Sequence, residues 1–101
     1  MKADPYYAVI FTNTRTKGDK GYAEMAQKME ALARQQEGFL GFESAREGLG
    51  ISVSYWKDMR AIVRWKKNAE HLQAQEKGKK DWYSWYKVRI CMVLREYDFT
   101  K

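Results

Sequence analysis

The side chains best suited to chemistry lie along one border of an apolar helix stripe. The segment after Asp58 has the spacing of an amphipathic helix, with Trp65 at the centre of its apolar stripe. At about 100° of rotation per residue, four polar residues lie to one side of Trp65. They are Arg64, Asn68, His71 and Gln75. This border is either a hydrated helix edge or the wall of a cleft, where Asn68 and His71 can donate and accept hydrogen bonds.

A further polar side chain lies in a predicted strand. Asn13 follows Phe11 by two positions, so the two side chains share one face of that strand. Amide side chains are disfavoured in strands unless they are hydrogen-bonded. Asn13 is therefore either a turn residue at the end of the strand or, if its face meets the helices, the polar end of the same cleft.

Several other kinds of site are excluded by residue type and count. Cys91 is the only cysteine and His71 the only histidine, so neither an intramolecular disulfide nor a cysteine or histidine metal cluster is expected. We predict that Cys91 is a small buried strand residue. The glycines do not form a phosphate-binding loop, and no Ser-His-carboxylate set is recognisable. No cysteine-based or histidine-based metal site is therefore predicted.

The elements that must position these residues are read from periodicity and glycine. The predicted strands cover 6–14, 39–47, 51–56 and 85–97, and the predicted helices cover 20–37 and the segment from 58 to 78. Asp19 and Asp58 are the expected helix N-caps. The order β-α-β-β-α-β predicts one α+β, ferredoxin-like domain over 1–101, with two helices on one face of a four-stranded antiparallel sheet.

The first and last predicted strands are apolar on both faces for most of their length. Two helices cover only one face of a sheet, so the other face would expose more apolar surface than a monomer normally does. The pattern predicts a homodimer that packs sheet to sheet.

The charge of +6 first suggests a nucleic-acid partner. The segment Leu49 to Trp56, however, has Ile51 and Val53 where an RNA-recognition motif has the aromatic residues on which bases stack. Nucleic-acid binding is therefore not expected. Since no run of about 18 apolar residues occurs, we also expect no membrane span and a cytoplasmic protein.

A family resemblance extends from Tyr6 to Phe99. A predicted strand ends in Ser54-Tyr55-Trp56, and Trp65 follows nine residues after Trp56. Together with Asn68-Ala69-Glu70-His71 and the C-terminal run from Trp82, these residues resemble the antibiotic biosynthesis monooxygenase (ABM) domain family of the dimeric α+β barrel superfamily. The Glu-His-x-x-Ala-Gln pattern at 70–75 is similar to that of a bacterial subgroup of small proteins.

This resemblance implies a sheet-to-sheet dimer with a helix/sheet pocket in each subunit. It also implies oxygenation of a small aromatic or quinol-like substrate by O₂ without metal, flavin or haem, because a reduced, deprotonated substrate can itself react with O₂. The expected catalytic residues are His71 as base or hydrogen-bond partner, Asn13 as orienter of an oxygen substituent, and Trp65 as an apolar wall. The expected substrate-binding residues are Trp56, Arg64, Asn68 and Phe11.

Two alternatives remain at this point. The first alternative is a haem-degrading enzyme. The chain also resembles the haem-degrading monooxygenases of the same superfamily, which use an Asn on the first strand and a Trp and a His on the second helix. Asn13 and Trp65 match that pattern, whereas His71 stands closer to the tryptophan than the haem ligand does. The second alternative is a dimer that binds a small ligand without catalysis.

Overall fold

Four strands and two helices follow one another in the predicted order. The computed structural model describes residues 4–17, 21–75 and 82–101. The elements are β1 (Tyr6–Arg15), α1 (Tyr22–Arg34), β2 (Phe39–Glu47), β3 (Leu49–Trp56), α2 (Met59–Gln75) and β4 (Tyr83–Val93). The strands form an antiparallel sheet in the order β2-β3-β1-β4. The ferredoxin-like α+β fold is thereby confirmed.

Strand β1 lies in the centre of the sheet and divides its side chains between two faces. Tyr7 and Val9 pack against a core formed with both helices, so the odd-numbered positions of β1 face the helices. We call this face the helix side. The even-numbered positions, among them Tyr6, Ala8 and Ile10, lie on the opposite face, which we call the open face.

The core centres on Trp56 at the end of β3. Trp56 is fully buried, and its indole N–H donates a hydrogen bond to Ser54 Oγ at 2.8 Å. Buried Ala33 of α1 and Ala61 and Ile62 of α2 complete this cluster. Burial of Trp56 is favourable because its indole N–H, the one polar group of the side chain, still has a hydrogen-bond partner inside the core.

Helix α2 starts where the sequence predicts. The backbone N–H of Ala61 donates to Asp58 Oδ1 at 2.8 Å, which is the expected N-cap. Gly38 approaches the same turn closely: its φ is +89°, and a Cβ there would lie 2.7 Å from the Cβ of Ala61. A side chain at Gly38 would therefore push α2 away from the sheet. The predicted end at Gly78 lies outside the described residues.

Helix α1 is shorter than predicted at both ends. Gly21 occupies the N-cap position with φ +79°, and no side chain caps the helix there. The left-handed backbone of Gly21 interrupts the helix that was expected from 20, so α1 begins at Tyr22. The predicted cap, Asp19, lies outside the described residues. At its other end α1 stops at Arg34 rather than at 37.

Strand β4 is shifted toward the N-terminus relative to the prediction of 85–97. Its last residue, Val93, pairs with Tyr6, the first residue of β1. Pro5 precedes Tyr6 and has no N–H, so the ladder has no further donor there. At its other end β4 gains Tyr83, because an irregularity between Thr14 and Arg15 pairs Arg15 with Tyr83.

Both faces of β4 are largely exposed. On the helix side Val88, Ile90 and Met92 are each 49% exposed, so the two helices leave this edge of the sheet uncovered. On the open face Cys91 is exposed, and the prediction of a buried cysteine is wrong for this chain by itself. Cys91 lies beside Ala8 of β1, where no element of the described chain packs over it. None of the described helices is long and apolar enough to span a membrane.

Candidate functional site

A row of four residues crosses the helix side of the sheet at one end. Arg46 of β2 pairs with Gly50 of β3, Gly50 pairs with Asn13 of β1, and Asn13 pairs with Tyr86 of β4. Asn13 is 3% exposed, and its Oδ1 accepts a hydrogen bond from Arg46 Nη2. The register therefore places a buried amide and a guanidinium side by side on the helix side of the sheet.

Gly50 makes this arrangement possible. A Cβ at Gly50 would overlap the guanidinium of Arg46, so the Arg46 side chain lies directly on the backbone of β3. From there Arg46 reaches Asn13, two strands away, and its Nη1 donates to the Gly48 carbonyl at 3.4 Å. Glycine is used here for close approach rather than for an unusual φ.

An aromatic cluster adjoins the Asn13 row. The Phe11 ring lies 5.3 Å from Tyr83 and 5.4 Å from Tyr86, and those two tyrosine rings lie 5.9 Å apart. Tyr22 of α1 contacts Tyr83 at 5.9 Å in an edge-to-face geometry. Because of the irregularity in β4, Tyr83 and Tyr86 share one face although three positions separate them. These rings form a wall suited to a flat apolar ligand.

Two arginines lie close to this wall. The Cζ of Arg15 is 3.3 Å from the centroid of the Tyr22 ring, and its Nε donates to the Trp82 carbonyl at 3.2 Å. Arg15 Nη2 is buried and has no hydrogen-bond partner. Burial and the hydrogen bond with Tyr22 raise the pKa of Tyr83, and the positive charges of Arg15 and Arg46 oppose that rise. Tyr83 is therefore a neutral phenol between two cations.

The two predicted tryptophans lie together at the other end of the helix side. The ring of Trp65 on α2 stacks on Trp56 at 5.8 Å and 23°. Trp56 pairs with Tyr7, six residues before Asn13 on β1, which corresponds to about 20 Å along the strand. The structure thus joins Trp56 to Trp65 and Asn13 to Phe11, and it places these two pairs at opposite ends of β1.

Three residues of the polar border of α2 are described together with their side chains. Arg64, Asn68 and His71 are all exposed, and Asn68 donates a hydrogen bond to Gln36 Oε1 at 2.8 Å. Asn68 therefore connects α2 with the segment that follows α1. Since six residues of helix rise about 9 Å, His71 lies about 9 Å along α2 from Trp65. The catalytic or substrate-binding roles predicted for these residues remain predictions.

Sequence reasoning missed Arg46, Arg15 and Tyr83. The alternation of β2 together with a glycine on β3 was a usable signal for Arg46, because an arginine opposite a glycine can lie across the sheet. Tyr83 was assigned to the linker before the last strand. The irregularity that brings it into β4 has no signature in the sequence.

The open face carries a separate depression of about 420 Å³. It is lined by Tyr6, Leu40, Glu43, Tyr55 and Glu96. The Tyr6 hydroxyl donates to Glu96 Oε2 at 2.6 Å, and this bond raises the pKa of Tyr6 to about 12. A hydrogen bond to Glu43 likewise raises the pKa of Tyr55. Both tyrosines are thereby held as neutral donors to carboxylates.

The chemistry available on the helix side follows from these residues. Asn13 and Arg46 can orient an oxygen substituent, and the aromatic cluster can hold a flat ring beside it. Among residues 4–17, 21–75 and 82–101, no group of three or more His, Cys, Asp or Glu side chains could hold a metal ion.

Comparisons with known proteins agree with this fold. The chain is 51% identical to the uncharacterised protein YqjZ of Bacillus subtilis strain 168 over 94 residues, which cover 91% of this chain and 82% of YqjZ. It is 32% identical to the jasmonate monooxygenase ABM of Pyricularia oryzae over 86% of this chain and 43% of that protein. The alignment therefore spans less than half of the fungal protein.

A solved structure shows the same fold at low sequence identity. SnoaB from Streptomyces nogalater, a cofactor-independent oxygenase solved as a mutant, superposes with a TM-score of 0.73 at 14% identity, covering 93% of this chain and 97% of SnoaB. Residues 5–77 match the family described as antibiotic biosynthesis monooxygenase. With most of its length matched, the chain belongs to the antibiotic biosynthesis monooxygenase family.

Proposed function

We propose that this protein is a monooxygenase that oxidises a small, electron-rich aromatic or quinol-like substrate with O₂ on the helix side of its sheet. The observation that carries the proposal is the buried Asn13, a hydrogen-bonded amide that follows the apolar residues Tyr7, Val9 and Phe11 on one strand face and lies next to an aromatic wall. Family membership and the likeness to SnoaB, a cofactor-independent oxygenase, support the reaction class. The fungal relative, a jasmonate monooxygenase, supports it as well.

The proposed reaction needs no resident cofactor. Loss of a proton from an activated CH₂ group gives a carbanion that transfers electrons to O₂ directly. One oxygen atom enters the product as a carbonyl, and the other leaves as water with both hydrogens of the CH₂ group. The protein supplies orientation, a water-poor surface and a proton acceptor.

Each candidate residue has a proposed task. Asn13 donates a hydrogen bond from its amide to an oxygen substituent that gains negative charge as the proton leaves. His71, the one histidine of the chain, is the proposed acceptor of that proton. Phe11 contacts the substrate ring beside Asn13. Trp65, stacked on Trp56 toward the other end of β1, and the exposed Arg64 and Asn68 of α2 contact the part of the substrate that extends toward α2.

We further propose that the protein works as a homodimer whose open faces pack together. Leu49 and Ile51 on that face are 46% and 42% exposed, and Tyr97 and Phe99 in the C-terminal segment are each 86% exposed. An apolar surface of this kind is normally covered in a stable protein. A second copy would also bury Cys91.

Oxygen uptake tests the proposed activity. Anthrone, whose activated CH₂ group becomes the carbonyl of anthraquinone, is a suitable probe. We expect wild-type protein to accelerate O₂ consumption above the rate of spontaneous oxidation, and Asn13→Ala to lose at least tenfold of that acceleration. A Val63→Ala variant, altered at an exposed position of α2, is the matched control. Equal rates for all three proteins across a panel of such substrates would contradict the proposal.

Haem degradation is a second candidate, favoured by the position of Asn13 on the helix side of β1. The described residues fit haem poorly, because the only histidine, His71, is exposed on α2 rather than buried beside the sheet. No step is therefore assigned to haem. Titration with hemin tests this candidate: a Soret shift in wild type that disappears in His71→Ala would support haem binding, and unchanged spectra would remove it.

A protein that only binds its ligand is the remaining alternative. It predicts a rise in melting temperature with aromatic ligands and no O₂ uptake with any of them.

A further inference from the structure

We propose that Arg46 is an anion-binding residue of the helix side and that it selects aromatic ligands carrying a carboxylate. The inference deepens the proposed function, because it names the substrate class of the same site. It rests on four observations: the groups that hold the guanidinium of Arg46 in place, the lack of a carboxylate partner for its charge among the described residues, its exposure to solvent, and the aromatic rings beside it.

The guanidinium of Arg46 is held by groups from β3, from β1 and from the turn between β2 and β3. Gly50 leaves room for Arg46 to lie flat on β3, and Asn13 accepts a hydrogen bond from Arg46 Nη2. The Gly48 carbonyl accepts a further bond from Nη1. These partners hold the guanidinium in place through neutral groups. A fixed planar fork of donors matches the geometry of a carboxylate.

The charge of Arg46 is not compensated in the described part of the chain. The guanidinium of Arg46 donates to two uncharged oxygens, Asn13 Oδ1 and the backbone carbonyl of Gly48. No carboxylate within residues 4–17, 21–75 and 82–101 forms an ion pair with Arg46. Arg34 on α1 shows the ordinary case, since Glu30 binds it at 2.9 Å. A second cation, Arg15, also lies beside the aromatic cluster and adds positive charge there. An uncompensated pair of guanidinium groups favours an anionic ligand.

The site is accessible and is bordered by aromatic rings. Arg46 is exposed on the side away from Gly50, and Tyr86 in the same row is 60% exposed. Phe11, Tyr83 and Tyr86 form the aromatic wall already described. A ligand with a flat apolar body and one carboxylate would therefore contact rings and guanidinium at the same time.

Isothermal titration calorimetry at pH 7.5 tests the inference with two probes of the same ring system. 2-Naphthoate carries the carboxylate, and 2-naphthalenemethanol replaces it by a neutral alcohol. We expect wild type to bind naphthoate at least tenfold more tightly, because hydrogen bonds to charged groups are the stronger ones. Arg46→Met should remove that preference, whereas Arg34→Met should keep it.

A second variant keeps the test decisive if Arg46→Met is poorly folded. Asn13→Asp places a carboxylate on the partner of Arg46, so the protein's own anion competes with the ligand, and naphthoate binding should weaken at least tenfold. The inference is overturned if wild type does not distinguish the probes, if it binds neither, or if both variants bind naphthoate as wild type does.

The binding and oxygen-uptake experiments distinguish an error in the role of Arg46 from an error in the proposed activity. Anthrone oxidation without any naphthoate preference would contradict only the role of Arg46. Selective naphthoate binding through Arg46 without oxygen uptake on any substrate would contradict the monooxygenase and leave the anion site standing.

Discussion

Asn13 and Arg46 are hydrogen-bonded across the backbone of a third strand, at the single position where that strand has no side chain. The pair belongs to β1 and β2, which are not neighbours in the sheet. A residue that is buried and a residue that is exposed thereby share one site. Asn13 uses its Oδ1 to orient Arg46, which leaves its amide N–H groups as donors, and Arg46 is exposed to a ligand from solvent.

Replacing Gly50 by alanine should displace Arg46 without unfolding the sheet. The backbone of Gly50 is not at positive φ, and the new Cβ would meet only the flexible end of the Arg46 side chain. We expect a stability change below about 1 kcal/mol and a loss of the naphthoate preference. Gly41→Ala is the matched control, because its Cβ would meet only Tyr55 at an ordinary 3.6 Å. Unaltered naphthoate binding in Gly50→Ala would show that the position of Arg46 on the backbone of Gly50 does not matter for anion binding.

Removing the buried tryptophan should be far more damaging than removing an exposed one. Trp56 is fully buried between Phe39 and Trp65, so Trp56→Ala should lower the free energy of unfolding by about 3–5 kcal/mol. Trp85→Ala, at a position 45% exposed, should cost much less. Denaturant unfolding followed by circular dichroism measures both. Similar midpoints for the two variants would contradict the assignment of the core.

The bond between Tyr6 and Glu96 should make stability fall at high pH. The hydrogen bond to Glu96 raises the pKa of Tyr6 from 10.0 to about 12 in the folded protein. Its contribution is therefore fully present below pH 10 and is lost as the pH rises toward 12. Tyr55 and Tyr83 also have raised pKa values, so tyrosinate absorbance should lose one of several late-titrating groups in Tyr6→Phe, and in Glu96→Gln one of those groups should titrate earlier. A titration curve unchanged in Glu96→Gln would contradict this bond.

A charge on the open face should dissociate the proposed dimer. Ile51 is 42% exposed in the middle of that face, and Val63 is 60% exposed on α2. Because burying an unpaired lysine in the interface is costly, Ile51→Lys should be a monomer in light scattering at micromolar concentration. Val63→Lys lies outside the proposed interface and should stay dimeric. A monomeric wild type would contradict the dimer outright.

The fold could be predicted from local sequence features, and the structure contains the elements that these features predict. The β-branched and aromatic run of β1, the cap at Asp58 and the glycine between β2 and β3 each act within a few residues. Such signals set the element order, and the order restricts the topology. They do not set where a ladder ends, which is why β4 stops at Val93, opposite the start of β1.

The candidate site was predictable only in part. Asn13 stands out in the sequence as an amide in an apolar strand, and it is indeed buried on the helix side. Its partner Arg46 could not be identified, because the contact depends on the register of three strands and on Gly50. Tyr83 depends on an irregularity in β4, and the exposure of Cys91 depends on what the open face meets. These are tertiary effects with no local pattern.

Isotope labelling shows whether the protein catalyses insertion of an oxygen atom from O₂ into its substrate. Purified protein is incubated with anthrone under ¹⁸O₂, and the anthraquinone is analysed by mass spectrometry, with protein-free buffer as the reference for spontaneous oxidation. We expect enzyme-dependent product in which one new oxygen atom is ¹⁸O, with the rate reduced at least tenfold in Asn13→Ala. Product that forms no faster than in buffer, or whose new oxygen comes from water, would contradict a monooxygenase that uses O₂ directly.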